Sequence, residues 1–256
     1  MMMENPVKQK LRNGEKTVGA FLGIYCPELV EMIGYSGFEF IIIDDEHGAF
    51  SPRELEHMIR AAENVNLVPI VRVSYDPSGI QKALDRGAKG IQVPMVNSKE
   101  EAEQVIRRAK FPPAGQRGAA FITRPARYGL DHGKPYVDAA DENVLVIVHI
   151  ETPEAVERFE EIVGVPGIDL AFIGPTDLSI SMGYKEEGAS HPEVQKTIRQ
   201  LHERARKQNI PLGTIVANAA GVRQELEAGT SLVAVVVTSV IMSAFTELVK
   251  AESEWK

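Results

Sequence analysis

Glu151 and Asp177 are two carboxylates of this 256-residue chain whose settings invite chemistry. Glu151 closely follows the apolar run Leu145-Val-Ile-Val148, and Asp177 follows Leu170-Ala-Phe-Ile173 after a Gly-Pro-Thr turn. Both therefore stand just past the carboxyl ends of strand-like segments. Two such side chains can give oxygen ligands to one hard divalent cation while water and a substrate fill the other positions. Each also has a plain structural reading. Glu151 would sit at the N-terminus of a helix over Thr152 to Val163, and Asp177 would cap a short helix through Ser181.

Four further groups gather at strand ends. His47 follows Ile41-Ile-Ile-Asp-Asp-Glu46, and a neutral imidazole with a pKa of about 6.5 accepts a proton at working pH. Asp44, three residues earlier, could orient its ring, while Asp45 and Glu46 tune the local field. Arg72 ends the apolar run Val68-Pro-Ile-Val71, where a guanidinium needs an anionic partner: Asp44, Asp85 or a substrate oxygen. His149 lies two residues before Glu151. The stretch Gly174-Pro-Thr-Asp-Leu-Ser179 offers backbone N–H groups at a helix start, where a carboxylate can dock. Carbonyl chemistry through a Schiff base needs a lysine in the same region, and no strand-like run ends in one, since Lys89, Lys110 and Lys134 lie elsewhere. The segments ending the seventh and eighth runs lack clustered glycines, which disfavours a phosphorylated substrate.

These groups must be held by something regular. Strands are predicted near Val18–Leu22, Phe38–Ile43, Val68–Val73, Gly90–Pro94, Val144–Ile150, Leu170–Ile173, Pro211–Val216 and Leu232–Val237. Between them, Leu55, Met58, Ile59 and Ala62, and again Ala102, Val105, Ile106 and Ala109, recur at i, i+3, i+4 and i+7, each marking a helix with one buried stripe. Eight strand–helix units in about 250 residues predict an α/β fold, a single (β/α)8 TIM barrel spanning residues 1–256, with reactive groups on the loops after the strands. The stretch from Lys110 to Asn143 shows no clear period and reads as a long loop; with Arg117, Arg124, Arg127 and His132 it suits a lid or a subunit contact.

A net charge of −8 and a pI near 5.4 argue against nucleic acid or an anionic membrane surface as partner. The single cysteine, Cys26, forms no intramolecular disulfide and reads as a packed thiol. The polar stretch from Met1 to Lys16 lacks the apolar core of a secretory signal, and no run of about 18 apolar residues occurs, so a soluble cytoplasmic protein is expected.

Taken in order, Ile41-Ile-Ile-Asp-Asp-Glu-His47, Pro69-Ile-Val-Arg72, Val93-Pro-Met95, Phe111-Pro-Pro-Ala-Gly-Gln-Arg-Gly118, Ile150-Glu-Thr152 and Phe172-Ile-Gly-Pro-Thr-Asp-Leu-Ser179 resemble the HpcH/HpaI aldolase family, from about Val18 to the last helix. The resemblance implies a metal-dependent (class II) pyruvate aldolase, in which Glu151 and Asp177 hold one divalent ion, Mg2+, Mn2+ or Co2+. It implies that His47 with Asp44 forms the base dyad, that Arg72 faces the keto oxygen, and that the amides of Thr176 and Asp177 hold the pyruvate carboxylate. It further implies a homohexamer, a trimer of dimers exchanging their last helices, with Asp85 reaching a neighbour's site. Two positions depart from the family pattern: His149, a candidate substrate-binding residue, stands where glutamine is usual, able to hydrogen-bond in its place, add a ligand or change the reaction, and Asp45 stands in place of a glycine. The substrates expected are pyruvate and an aldehyde, joined into or released from a 4-hydroxy-2-oxo acid. The alternatives are an oxaloacetate-type decarboxylase and a non-catalytic metabolite-binding barrel.

Overall fold

The structure is a computed structural model and describes residues 4–253 apart from Tyr75 and Pro77. Eight parallel strands close into a barrel in sequence order. They are β1 (Thr17–Leu22), β2 (Phe40–Asp44), β3 (Val68–Arg72), β4 (Gly90–Val93), β5 (Leu145–Ile150), β6 (Leu170–Ile173), β7 (Leu212–Val216) and β8 (Leu232–Val236). The helices are α1 (Pro6–Arg12), α2 (Pro27–Tyr35), α3 (Pro52–Asn64), α4 (Gly79–Arg86), α5 (Lys99–Ala109), α6 (Gly133–Asn143), α7 (Pro153–Glu157), α8 (Phe159–Val163), α9 (Pro175–Ser181), α10 (Pro192–Gln208), α11 (Ala219–Ala228) and α12 (Val237–Ser253). The predicted (β/α)8 barrel is the observed one, with each strand within two residues of its expected bounds.

Strand side chains alternate between two faces, and the barrel uses both. The outward set, among it Ile41, Ile43, Val71, Ile91, Val146 and Val148, packs under the helices' apolar stripes. The inward set fills the barrel with Phe40, Ile42, Val68, Ile70, Leu145, Ile147, Leu170 and Phe172. Val7 and Leu11 of α1 join that inner cluster and close the end where the strands begin. There Asn5 Nδ2 donates to the carbonyls of Lys89 and Asn143, and buried Lys8 donates to Val144 O and Asp169 Oδ2. Continuing the inward period past Ile42, Ile70 and Ile147 brings Asp44, Arg72 and His149 to the opposite end. The barrel is thus apolar through its body and polar at the carboxyl mouth.

Two expectations are corrected. The segment from Lys110 to Asn143 is not a bare loop: it holds a 3-10 turn at Arg124–Gly129 and the helix α6. A satellite cluster of Phe111, Ala126, Tyr136 and Ala140 supports it. Its arginines are tied down, Arg117 to Asp85, Arg124 to Glu63 and the Arg86 carbonyl, and Arg127 to Asp131. The single helix expected over Thr152 to Val163 is two, α7 and α8, broken at Arg158 (φ −94°, ψ 20°). Arg204 of α10 meets the break, donating to Val156 O and Glu157 O and pairing with Glu160. Among the described residues no helix is long and apolar enough to cross a membrane.

Candidate active site

Arg72 and Asp44 sit opposite each other in the β2–β3 register. Arg72 Nε donates to Asp44 Oδ1 and Nη2 to Oδ2, both at 2.8 Å, a bidentate pair with 9% and 4% of the residues exposed. Burial opposes the guanidinium's charge, but the Asp44 bonds and the charges of Asp44 and Glu46 outweigh it and raise its pKa. The third nitrogen, Nη1, lies 3.0 Å from Glu46 Oε2, close enough for an ion pair but without the alignment of a hydrogen bond. Burial pushes the Glu46 carboxyl up, with Arg72 working the other way.

His47 stands apart from this pair. Its backbone N–H reaches Asp44 Oδ1 at 3.3 Å, but its ring is exposed and lies 4.0 Å from Glu46 Oε1. The expected ring contact with Asp44 is therefore not made: Asp44 accepts from the guanidinium on both oxygens and from the Glu46 and His47 backbone N–H groups on Oδ1, and the acid beside the imidazole is Glu46.

Glu151 is 2% exposed and held from both sides. The Met95 backbone N–H donates to Oε1 at 2.8 Å, and His149 Nδ1 lies 2.7 Å from Oε2. Burial alone would raise this carboxyl, but the His149 hydrogen bond and charge, the Met95 N–H and the Arg72 charge more than offset it, and its pKa falls. A carboxylate oxygen has two lone pairs, so each oxygen keeps one for a further partner. Gly174 leaves room for it: a Cβ there would stand 2.6 Å from Glu151 Oε2. An ionised carboxylate with two free lone pairs facing a side-chain gap fits a hard cation.

Asp177 lies in the first turn of α9, exposed at the rim of the mouth. With Thr176, Pro175, Gly174, Arg72, His149, Phe21, Phe172 and Ile215 it encloses a cavity of about 110 Å3. Larger hollows lie elsewhere, one at the barrel's other end lined by Arg12 and Arg206, but none of them gathers these groups. His149 stacks on Phe172 with centroids 5.1 Å apart, and its Nε2 is buried without a hydrogen-bond partner. Among the described residues no group of three or more His, Cys, Asp or Glu side chains is placed to hold a metal ion.

The mouth thus joins Arg72, Asp44, His149, Glu151, Thr176 and Asp177, with His47 at its edge. Sequence reasoning missed Gln92, which is fully buried in register with Arg72 and has neither amide atom partnered. A polar residue inside the strand Gly90-Ile-Gln-Val93 was the available signal. Met95, which the sequence offered only within the segment Val93-Pro-Met95, was given no role; its N–H holds Glu151 and its φ is 54°.

A family model described as HpcH/HpaI aldolase/citrate lyase matches residues 17–243. A 2-keto-3-deoxy-L-rhamnonate aldolase from Salmonella paratyphi B is 34% identical over 243 residues, 94% of this chain and 90% of that protein. The crystal structure of an HpcH/HpaI aldolase/citrate lyase family protein from Burkholderia cenocepacia superposes with a TM-score of 0.91 at 29% identity, covering 97% of this chain and 99% of that one. The citrate lyase β subunit of M. tuberculosis, solved with oxaloacetate and magnesium, shares the fold at 14% identity with a TM-score of 0.57, over 89% of this chain and 93% of that one.

Proposed function

Because the chain belongs to the HpcH/HpaI aldolase/citrate lyase family and is a carbon–carbon lyase, we propose that it is a divalent-metal-dependent aldolase acting on 4-hydroxy-2-oxo acids through pyruvate and an aldehyde. The observation that carries this reading is Glu151, ionised in a buried setting, with a free lone pair on each oxygen and the Gly174 gap before it. Glu151 and Asp177 are the residues to hold one ion, Mg2+, Mn2+ or Co2+. When bound, such an ion supplies Lewis-acid stabilisation of the negative charge that develops on substrate oxygen.

The chain's own residues do the rest. The N–H groups of Thr176 and Asp177 fall in the opening turn of α9, where helix geometry provides no acceptor, and suit the carboxylate of pyruvate. The guanidinium of Arg72, fixed by Asp44, faces the same cavity and meets the keto oxygen as it gains charge. His47, with Glu46 beside its ring, is the base that takes the methyl proton in synthesis and the 4-hydroxyl proton in cleavage. His149 Nε2 faces substrate from the cavity wall.

A second reading is decarboxylation of an oxaloacetate-type acid, which forms the same enolate without an aldehyde. The small cavity favours keeping it, as does the oxaloacetate in the M. tuberculosis relative. A cytoplasmic homohexamer, a trimer of dimers exchanging α12, completes the proposal; Val240, Met242, Phe245, Leu248 and Val249 are exposed along that helix. The deciding assay offers the protein a panel of 4-hydroxy-2-oxo acids and oxaloacetate with Mn2+ or with chelator. Metal-dependent release of pyruvate plus aldehyde is expected, and turnover of oxaloacetate alone selects the second reading.

A further inference from the structure

Met95 follows β4 with φ at 54°, in the left-handed region that a residue with a Cβ disfavours. Such a conformation persists only where its surroundings enforce it, and it clusters at functional sites. Here both peptide groups flanking the Met95 Cα are held. Its N–H donates to Glu151 Oε1 at 2.8 Å, and its carbonyl accepts from Asn97 Nδ2 at 3.1 Å.

The Asn97 side chain spans two loops. Its Oδ1 accepts from the Thr152 hydroxyl at 2.5 Å, and Thr152 follows Glu151 directly and caps α7 through the Ala155 N–H at 3.0 Å. The amide's orientation follows from chemistry: a carbonyl only accepts, so the NH2 must face Met95, and the oxygen then takes the hydroxyl. The Asn97 N–H is itself anchored on Glu101 Oε2 at 2.6 Å.

We propose that Asn97 is a positioning residue for Glu151, clamping the Met95 peptide and Thr152 so that the carboxylate presents a fixed pair of lone pairs to the cation. Asn97 does not line the cavity. It acts through Met95 on one carboxylate oxygen while His149 fixes the other. Without the clamp the Met95 peptide is free to relax toward ordinary φ, its N–H leaves Oε1, and Glu151 rotates away from the Gly174 gap. The inference rests on the reading of Glu151 as a metal ligand.

The test is titration of the full-length protein with Mn2+ alone, following the free ion by electron paramagnetic resonance. Asn97→Ala and the nearly isosteric Asn97→Asp, which turns an oxygen toward the Met95 carbonyl, are expected to weaken Mn2+ binding by about 10- to 100-fold, the range for groups that orient a metal ligand. Thr152→Ser, which keeps the hydroxyl, is expected to retain wild-type affinity. Unchanged affinity in both Asn97 variants overturns the clamp, as does a Thr152→Ser loss as large as theirs. Glu151→Gln separates the two claims: wild-type Mn2+ binding in that variant overturns the metal reading itself.

Discussion

Arg72 and Asp44 face each other across two neighbouring strands, joined by two parallel hydrogen bonds of 2.8 Å. The pair gives the guanidinium one orientation and leaves its remaining nitrogen toward Glu46. A lysine keeps the charge but loses the fork. In Arg72→Lys, kcat is expected to fall by about 10²–10³, as for loss of one oxyanion donor, with Mn2+ affinity retained. Asp44→Ala instead leaves the buried guanidinium with Glu46 as its remaining ion-pair partner, and urea denaturation should register a loss of at most about 3–5 kcal/mol.

Gly174 adopts an ordinary φ of −93°, so an alanine there costs the backbone little. Its methyl group would stand 2.6 Å from Glu151 Oε2 and 3.3 Å from Glu151 Cβ. Gly174→Ala is therefore expected to fold with a near-normal circular dichroism spectrum and lose most metal-dependent turnover. Full activity in the alanine variant would show that the gap is not used.

Glu151 has a pKa below the ordinary glutamate value of 4.5. A carboxyl depressed in the folded state contributes stability that is present above its unfolded value and is lost as pH falls through its folded value. In chelator, wild type should exceed Glu151→Gln in urea midpoint at pH 7, and the gap should close progressively below about pH 4.5. A gap that widens on acidification would contradict the assignment.

The barrel was legible because its signals are local and repeated. Runs such as Phe40–Asp44 and Leu145–Ile150 are almost wholly apolar, and the α3 and α5 stripes recur at helical spacing. What escaped depends on distant partners. Helix α6 carries little apolar face of its own and is held by Tyr136 against Phe111 and Phe121. The break at Arg158 is set by Arg204, more than forty residues away. In the mouth, strand ends foretold which side chains converge and offered Asp44 as a partner for Arg72, but not that this pairing leaves the His47 ring apart, nor that Glu151 is held by a loop after β4 with a left-handed Met95.

Phe245 and Leu248 are 58% and 71% exposed on α12, with Val240, Met242 and Val249 exposed along the same helix, and clustered exposed apolar side chains mark interaction surfaces. Sedimentation is expected to show a hexamer for the wild type, and Phe245→Glu with Leu248→Glu should yield smaller species. A wild-type monomer would remove α12 from any subunit contact.

On the proposed reading, Glu151 and Asp177 hold the ion that makes pyruvate's methyl protons acidic. Proton NMR in D2O measures this directly, without an aldehyde, as loss of the pyruvate methyl signal. Expected is exchange in wild type with Mg2+, Mn2+ or Co2+, measured after removing any paramagnetic ion, and none with chelator, in Glu151→Gln or in Asp177→Asn. Exchange that persists in chelator, or in Glu151→Gln at the wild-type rate, would contradict it.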